Sequence, residues 1–430
     1  LFFGTSLATI DWDITRLLFG FRILQGDFYL FYKLILDFAG LATLAGLGVA
    51  AWSRWIKKSV SLEASPRFAM LIGSLALIII TGFFLEALRL AAQKPAWAGW
   101  SFVGNFIATT LFSGVSAEKL ETAHLILWWI HGIGSLAFIA SIPLNFFSHM
   151  FKTPWNIFEQ KLEPMGAAPK IDNIEEQETF GISQMKQFTW KERLDFASCT
   201  ECARCSAVCP AVKMGTPLDP KNVVLKLQHA FANGGENEPT EKFISEDELW
   251  ACTTCGACTN ACPSRINLPD AIVKMRTHYA LEEGKFPPGV AKTLQNIASV
   301  GNPWGMDPDS RLDWAEGLDL PIMDPDRPVD ILYWVGCSAS FDKRSQKIAR
   351  SMVKILKASG LSFGVMAEER CHADFARRLG EEYLFQTAAA ENIANLSQYK
   401  FGKILCACPH CFNTLENEYP EFEGGKFEVI

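Results

Sequence analysis

The sequence predicts a multi-domain chain: an all-α transmembrane helix bundle, then a small α-helical domain built around cysteine loops, then an α/β domain. Three observations carry this reading. Apolar residues crowd into the first 150 positions, all 13 cysteines lie after position 198, and the stretch from 329 onward alternates strand and helix patterns. A chain of 430 residues has room for two to four domains. Its net charge of −7, with no basic arm or stripe, argues against a nucleic-acid partner.

Residues 1–10 read as the tail of a membrane span, followed by a short polar-aromatic stretch with Asp11, Asp13, Arg16, Arg22 and Asp27. Phe28 to Trp52 is long enough to cross a bilayer and carries only Lys33 and Asp37 as charges. Phe68 to Ala92 is interrupted only by Glu86 and Arg89, and Ala123 to Met150 has no Lys, Arg, Asp or Glu. One such run could be a buried core helix; three in succession predict spans. Arg54, Lys57, Lys58 and Arg67 lie between the first two full spans, whereas Gln93 to Glu121 offers only Lys94 and Lys119. The positive-inside bias therefore places the first loop, and everything after Lys152, in the cytoplasm. Trp97, Trp100 and Phe102 suit an interfacial segment of the outer loop. The expected location is the cell inner (cytoplasmic) membrane, with several passes.

His131 and His149 are 18 residues apart on the last apolar run. On one continuous helix that is five turns, so both rings would leave the same face roughly 27 Å apart along the axis. His124 falls near that face. Imidazoles in an uncharged span are costly unless they have a task, and ligating haem iron is the expected one.

The cysteines carry the strongest signal. Cys199, Cys202, Cys205 and Cys209-Pro210 form one run, and Cys252, Cys255, Cys258 and Cys262-Pro263 repeat it. Three thiolates at intervals of three can cap three iron corners of a cubane, and in two-cluster arrangements the fourth Cys of each run serves the other cluster. One [4Fe–4S] cluster is thus assigned to Cys199, Cys202, Cys205 and Cys262, the other to Cys252, Cys255, Cys258 and Cys209. Zinc would favour paired ligands, and disulfides are disfavoured in a reducing compartment.

A polar linker is expected over 156–190, a two-[4Fe–4S] ferredoxin-type domain over 191–290 with helices at Val223 to Ala232 and Leu268 to Glu283, and a connecting segment over 291–328. From 329 to 430, strands at Val329 to Val335, at Phe363 and at Lys403 to Cys406 alternate with helices at Arg344 to Ala358 and Asp374 to Leu396. That order implies a parallel sheet. Cys337, Cys371, Cys408 and Cys411 then fall beside the carboxyl ends of strands, where α/β folds place their sites, and predict a third iron–sulfur centre. His372 and Cys406 are further candidate ligands. Leu1 begins inside an apolar run and Phe427 to Ile430 reads as a strand in progress, so both ends are expected to be cut.

Two resemblances add to this. His131, Pro143 and His149, in Trp129-Ile-His131 through Ser148-His149-Met, resemble the last helix of the nitrate reductase gamma-subunit family of di-haem cytochromes b, over roughly residues 1–155. The resemblance implies two haem b groups ligated by His131 and His149, with second axial ligands outside this stretch. Cys337, Cys371, Cys408 and Cys411 resemble the cysteine-rich CCG domain of heterodisulfide reductase catalytic subunits. The family's paired Cys is here Cys371-His372, followed by Ala373 where Gly is expected, which favours an ordinary [4Fe–4S] cluster over the unusual double one.

The order of parts is similar to that of membrane-bound iron–sulfur oxidoreductases, among them electron-transfer-flavoprotein:menaquinone oxidoreductases. That resemblance implies electron transfer between a cytoplasmic flavoprotein, or other redox protein, and menaquinone in the membrane. The alternatives are a disulfide or trisulfide reductase of heterodisulfide-reductase or sulfite-reduction-complex type, and a non-catalytic conducting subunit or redox sensor of a larger complex. A homodimer is a further expected form of assembly.

Overall fold

A computed structural model describes residues 7, 10–21, 23–58 and 64–430. Most of the span tail expected over residues 1–10, together with Arg22, lies outside the described residues. The chain divides into two compact units, Leu1–Ser148 and His149–Ile430.

The first unit holds α1 (Gly26–Ala51), α2 (Pro66–Gln93), α3 (Phe102–Leu111) and α4 (Ala117–Ser141). Three of its helical stretches, Gly26–Ile56, Pro66–Gln93 and Ala117–Leu144, are long and apolar enough to cross a membrane. The short apolar helix α3, between the second and third of these stretches, was not expected from the sequence. Its N-terminus is held from α1, where the Asp37 carboxylate accepts a 2.8 Å bond from the Val103 N–H and so answers a free helix donor. Gly104 lets α3 approach α2, since a Cβ there would stand 2.8 Å from Glu86 Cγ. Glu86 in turn pairs with Lys33 at 2.6 Å and Arg89 at 2.9 Å. The four charges that interrupt the apolar runs thus find partners in one another and in the α3 backbone, as charges within a membrane must.

The last span departs from expectation. Its helix α4 starts earlier, at Ala117, and stops at Ser141; two 3₁₀ turns follow, Ile142–Leu144 and Phe146–Ser148. Pro143 has no N–H to continue the ladder and its ring crowds the carbonyl four residues back. His149 therefore opens the next helix, α5 (His149–Phe158), and the five-turn, same-face relation to His131 does not hold.

In the second unit, α6 (Trp190–Ala197) starts from a capping box in which Thr189 and Glu192 satisfy each other's backbone N–H. Then come α7 (Pro220–Ala232), α8 (Leu268–Thr277) and α9 (Val290–Val300). Within the segment expected as a polar linker, Ala168, Ile182, Met185 and Phe188 are buried. Gly181, at φ +71°, lies so close to α8 that a Cβ would meet the His278 nitrogen at 2.3 Å.

The α/β part contains β1 (Val329–Trp334), α10 (Lys343–Ser359), β2 (Phe363–Gly364), α11 (Glu382–Leu396) and β3 (Phe401–Cys406). The sheet order is β2-β1-β3, all parallel, with Leu332 opposite Gly364 and Ile404. Parallel bridges Ile322 to Val365 and Ile404 to Val429 extend it at both edges. Leu332 and Trp334 face one core, with Phe385 and Ile404; Tyr333 and Ile331 face the other, with Val353 and Val365, as the two-residue strand period requires. The helix expected over Asp374 to Leu396 is split at Gly380, which sits at φ +88° with the place of its Cβ 2.5 Å from backbone atoms of Arg276 and Thr277. There the α/β backbone rests directly on α8.

Candidate metal centres

The two cysteine runs fold alike. After Cys199 and Cys252 the backbone enters the left-handed region at Glu201 and Thr254 (φ +53° and +51°) and again at Ala203 and Gly256 (φ +57° and +70°). This curls each loop back toward its first thiol, and the Thr254 N–H donates to Cys252 Sγ at 3.3 Å. Short helices Arg204–Val208 and Ala257–Ala261 follow and pack against each other, each ending in an extended Cys-Pro. Their packing carries each fourth cysteine across to the opposite loop. A cavity is lined by Cys199, Cys202, Cys205 and Cys262, together with Cys258 of the second run, and has apolar walls from Val224, Ile266 and Leu268. On the other side burial pushes the Cys252 thiol up, and Cys255 and Cys209 lie close enough to add to it electrostatically.

Burial pushes Cys199 and Cys258 up to about 12 and Cys205 to about 11, so without metal these are neutral thiols crowded together. Iron would replace those protons. All 13 cysteines are free. Among the described residues no three His, Cys, Asp or Glu side chains close around a single ion. Thiols spaced around a cavity suit a cluster that fills it, whereas zinc needs its sulfurs about 2.3 Å from one point.

The third site forms at the carboxyl edge of the sheet. Cys337 follows β1, Cys371 follows β2, and Cys408 and Cys411 follow β3. Cys371 lies beside Cys337, and Cys411 beside Cys408, which the Cys411 thiol and the Cys411 and His410 N–H groups hold down at about 5. Cys337 is likewise pushed down, first by the Cys371 thiol and then by Arg311. At about 5, Cys408 is the thiolate of its pair. The two pairs meet where Gly336, at φ +77°, would place a Cβ 3.2 Å from Cys411 Sγ. Gly336→Ala is expected to displace Cys411, to lower iron bound at this site, and to cost roughly 1–3 kcal/mol by overpacking. Iron per chain and the thermal midpoint measure both effects.

Of the further candidates, Cys406 is half-buried beside Cys408 and is pushed up to about 12, chiefly by burial. His372 is buried and neutral, burial holding it down at about 4; its Nδ1 accepts from the Asp374 N–H at 3.3 Å. The charges acting on it belong to Asp374, His410 and Arg378. Ala373 adopts φ +63° and donates its N–H to Cys371 Sγ at 3.4 Å, repeating the turn of the other loops at a place that favours glycine.

Two charged residues at this site gave no signal in the sequence. Arg311, in the supposed connecting segment, sets both terminal nitrogens 3.8 Å from Cys337 Sγ. It is ion-paired with buried Glu369, whose carboxylate accepts the Val335 and Gly336 N–H groups at 2.8 and 2.9 Å. Only the fold brings residues 311, 337 and 369 together.

A family profile described as "4Fe-4S dicluster domain" matches residues 191–263, and one described as "Cysteine-rich domain" matches 331–416. The chain is 31% identical to "EtfAB:quinone oxidoreductase" of Syntrophomonas wolfei, over 94% of this chain and 63% of that protein. It is 30% identical to "Probable iron-sulfur-binding oxidoreductase FadF" of Bacillus subtilis, over 98% of this chain and 67% of that one. The chain belongs to this family of iron–sulfur oxidoreductases. A further member, "Probable membrane-anchored ferredoxin" of Chromohalobacter salexigens, is 38% identical over 79% of this chain and 53% of its own length. The chain thus spans between about half and two thirds of the length of these relatives. No solved structure matches it. The iron–sulfur oxidoreductase carries its apolar helices, dicluster domain and cysteine-rich α/β domain in the order that the sequence implies.

Proposed function

We propose that this chain passes electrons between a cytoplasmic electron-transfer flavoprotein and the menaquinone pool of the inner membrane. The observation that carries the reading is the presence, in one family member, of membrane-length helices and of cysteines converging at three places, Cys337, Cys371, Cys408 and Cys411 being the third. Bound at these thiolates, iron–sulfur clusters supply one-electron transfer. The relative named for EtfAB and quinone supports the choice of partners.

In the membrane part, His131 and His149 are the candidate haem b ligands. Thr81 Oγ1 lies 2.9 Å from His131 Nδ1, which orients the ring and leaves Nε2 for a metal, the usual division of labour in a ligating imidazole. The loss of the shared helical face removes one argument for pairing His149 with it. A disulfide or trisulfide reductase is the second reading, favoured by the resemblance of the third site to heterodisulfide reductase. Against it, His372 replaces a thiol and is engaged with Asp374, so four cysteines remain for an ordinary centre.

The test uses purified full chain in detergent. Reduced b-haem bands are expected in its absorption spectrum. Cys371→Ala should abolish exchange with the flavoprotein while a reduced quinone analogue still reduces the haem. Unchanged flavoprotein turnover in that variant would move the exit site elsewhere, and absence of haem bands would remove His131 and His149 from the scheme.

A further inference from the structure

Three arginines among the described residues are buried: Arg276, Arg311 and Arg377. Arg311 is paired with Glu369, and Arg377 with Glu382, Glu418 and Glu421. Arg276, only 2% exposed, has carbonyl partners instead. Its Nε and Nη2 donate to the Leu249 carbonyl at 3.2 and 2.7 Å, Nη2 also donates to the Cys252 carbonyl at 2.6 Å, and Nη1 donates to the Arg378 carbonyl at 2.8 Å. Its guanidinium lies over the Trp250 ring, 5.1 Å from the centroid. No carboxylate among the described residues lies within ion-pair distance of it. Burying an uncompensated charge costs several kcal/mol, and carbonyl dipoles answer only part of that. A cluster bound through Cys252, whose carbonyl Arg276 already holds, would supply that anion.

We infer that Arg276 is a positioning residue that supplies the buried counter-charge of the centre at Cys209, Cys252, Cys255 and Cys258, and joins that centre to the third site. The inference rests on the reading above that the thiols hold clusters. Reduction adds one negative charge to a centre already negative, so a desolvated cation beside it favours the reduced form. Among the described residues no buried arginine lines the cavity of the other centre; Lys221 lines it but is partly exposed, where water screens it.

The contacts also order the centres. Thr153 on α5, the helix that follows the last span in the chain, meets the Ser198 carbonyl at 3.4 Å and Ser264 Oγ at 3.2 Å; Asn156 donates to the Ser264 carbonyl at 2.8 Å. Ser198 and Ser264 flank Cys199 and Cys262, so the first centre is held on α5. From Arg276 the links run the other way. The Arg378 side chain donates to Asp374 Oδ1 at 2.8 Å, and Asp374 Oδ2 lies 2.8 Å from Nδ1 of His410, between Cys408 and Cys411. The Cys252 set is therefore the one joined to the third site.

The experiment is a redox titration of the full chain followed by electron paramagnetic resonance, with Arg276→Gln and Arg276→Lys. Arg276→Gln should lower the potential of one ferredoxin-type signal, shifting its reduced-to-oxidised ratio at fixed poise at least tenfold, about 59 mV for one electron. The signal that moves should be the one that Cys209→Ala removes, and Arg276→Lys should hold it within threefold of the parent. Should Arg276→Gln lose iron, an Arg276→Lys protein with full iron and parental potential still supports the counter-charge, and equal depletion of both overturns it. Unmoved potentials, equal movement of both signals, or a Lys variant shifted as far as Gln would also overturn it. None of these readouts depends on turnover with flavoprotein or quinone, so a chain that exchanges with neither yet shows the selective shift would sink the proposed function alone.

Discussion

Cys209→Ala is expected to remove the centre held by Cys252, Cys255 and Cys258 and to leave intact the one nearest to it in sequence. Cys209 ends the short helix Arg204–Val208, whose packing against Ala257–Ala261 delivers it to the opposite loop; it is buried and acts electrostatically on Cys252. The cavity bounded by Cys199, Cys202 and Cys205 is also lined by Cys262 and Cys258, and crossed ligation assigns it Cys262 as the fourth thiol. Losing one of four thiolates opens an iron corner, and the centre is expected to degrade, lowering iron by about four atoms per chain. Electron paramagnetic resonance of the reduced variant separates the two signals. Damage confined to the Cys199 centre would reject crossed ligation.

Arg377→Leu is expected to be the most destabilising single change in the α/β part. The side chain is fully buried, with Nε 3.2 Å from Glu382, Nη1 3.2 Å from Glu418 and Nη2 2.7 Å from Glu421. Glu418 also pairs with Arg378, whose Nη2 donates to the Gly166 carbonyl as well. Leucine would keep some packing against Phe385 but leave buried carboxylates short of their cation, a loss of roughly 3–5 kcal/mol. If the whole compact unit His149–Ile430 unfolds together, that lowers the thermal midpoint by roughly 6–20 °C.

The pH dependence has a definite sign. Burial already pushes Glu382 and Glu418 above the ordinary carboxylate value while Arg377 pulls both down. Without the arginine their folded values rise further. A group with a raised folded value contributes stability below its unfolded value and loses it as pH climbs through the folded one. The deficit of Arg377→Leu should accordingly be largest near neutrality and shrink as pH falls toward the ordinary carboxylate range. Midpoints followed by circular dichroism at several pH values check this; a deficit independent of pH would assign the loss to packing alone.

Much of this protein was legible because its signals are short-range. The cysteine intervals in Cys199–Cys209 and Cys252–Cys262 determine which thiols share a loop, while the left-handed turns at Glu201, Ala203, Thr254 and Gly256 came only with the structure. Apolar run length identified the three spans, and strand–helix alternation placed Cys337, Cys371, Cys408 and Cys411 along one sheet edge. Pro143 stood in plain view, yet hydropathy alone carried the last span through it to Met150, because an apolar count is blind to a missing N–H.

What only the tertiary structure decided concerns charge and close approach between distant segments. Arg276, Arg311 and Glu369 stand in stretches that read as an ordinary helix face, a connector and a loop. Their roles come from burial beside Cys252 and Cys337. Gly181 and Gly380 look like turn residues but admit other backbone onto α8, and the supposed linker is packed because of it. Periodicity reports which face of an element is apolar over a few residues. Whether a guanidinium meets a carboxylate, a carbonyl or a thiolate is set by low-dielectric contacts between residues tens to hundreds of positions apart, and no local pattern encodes those.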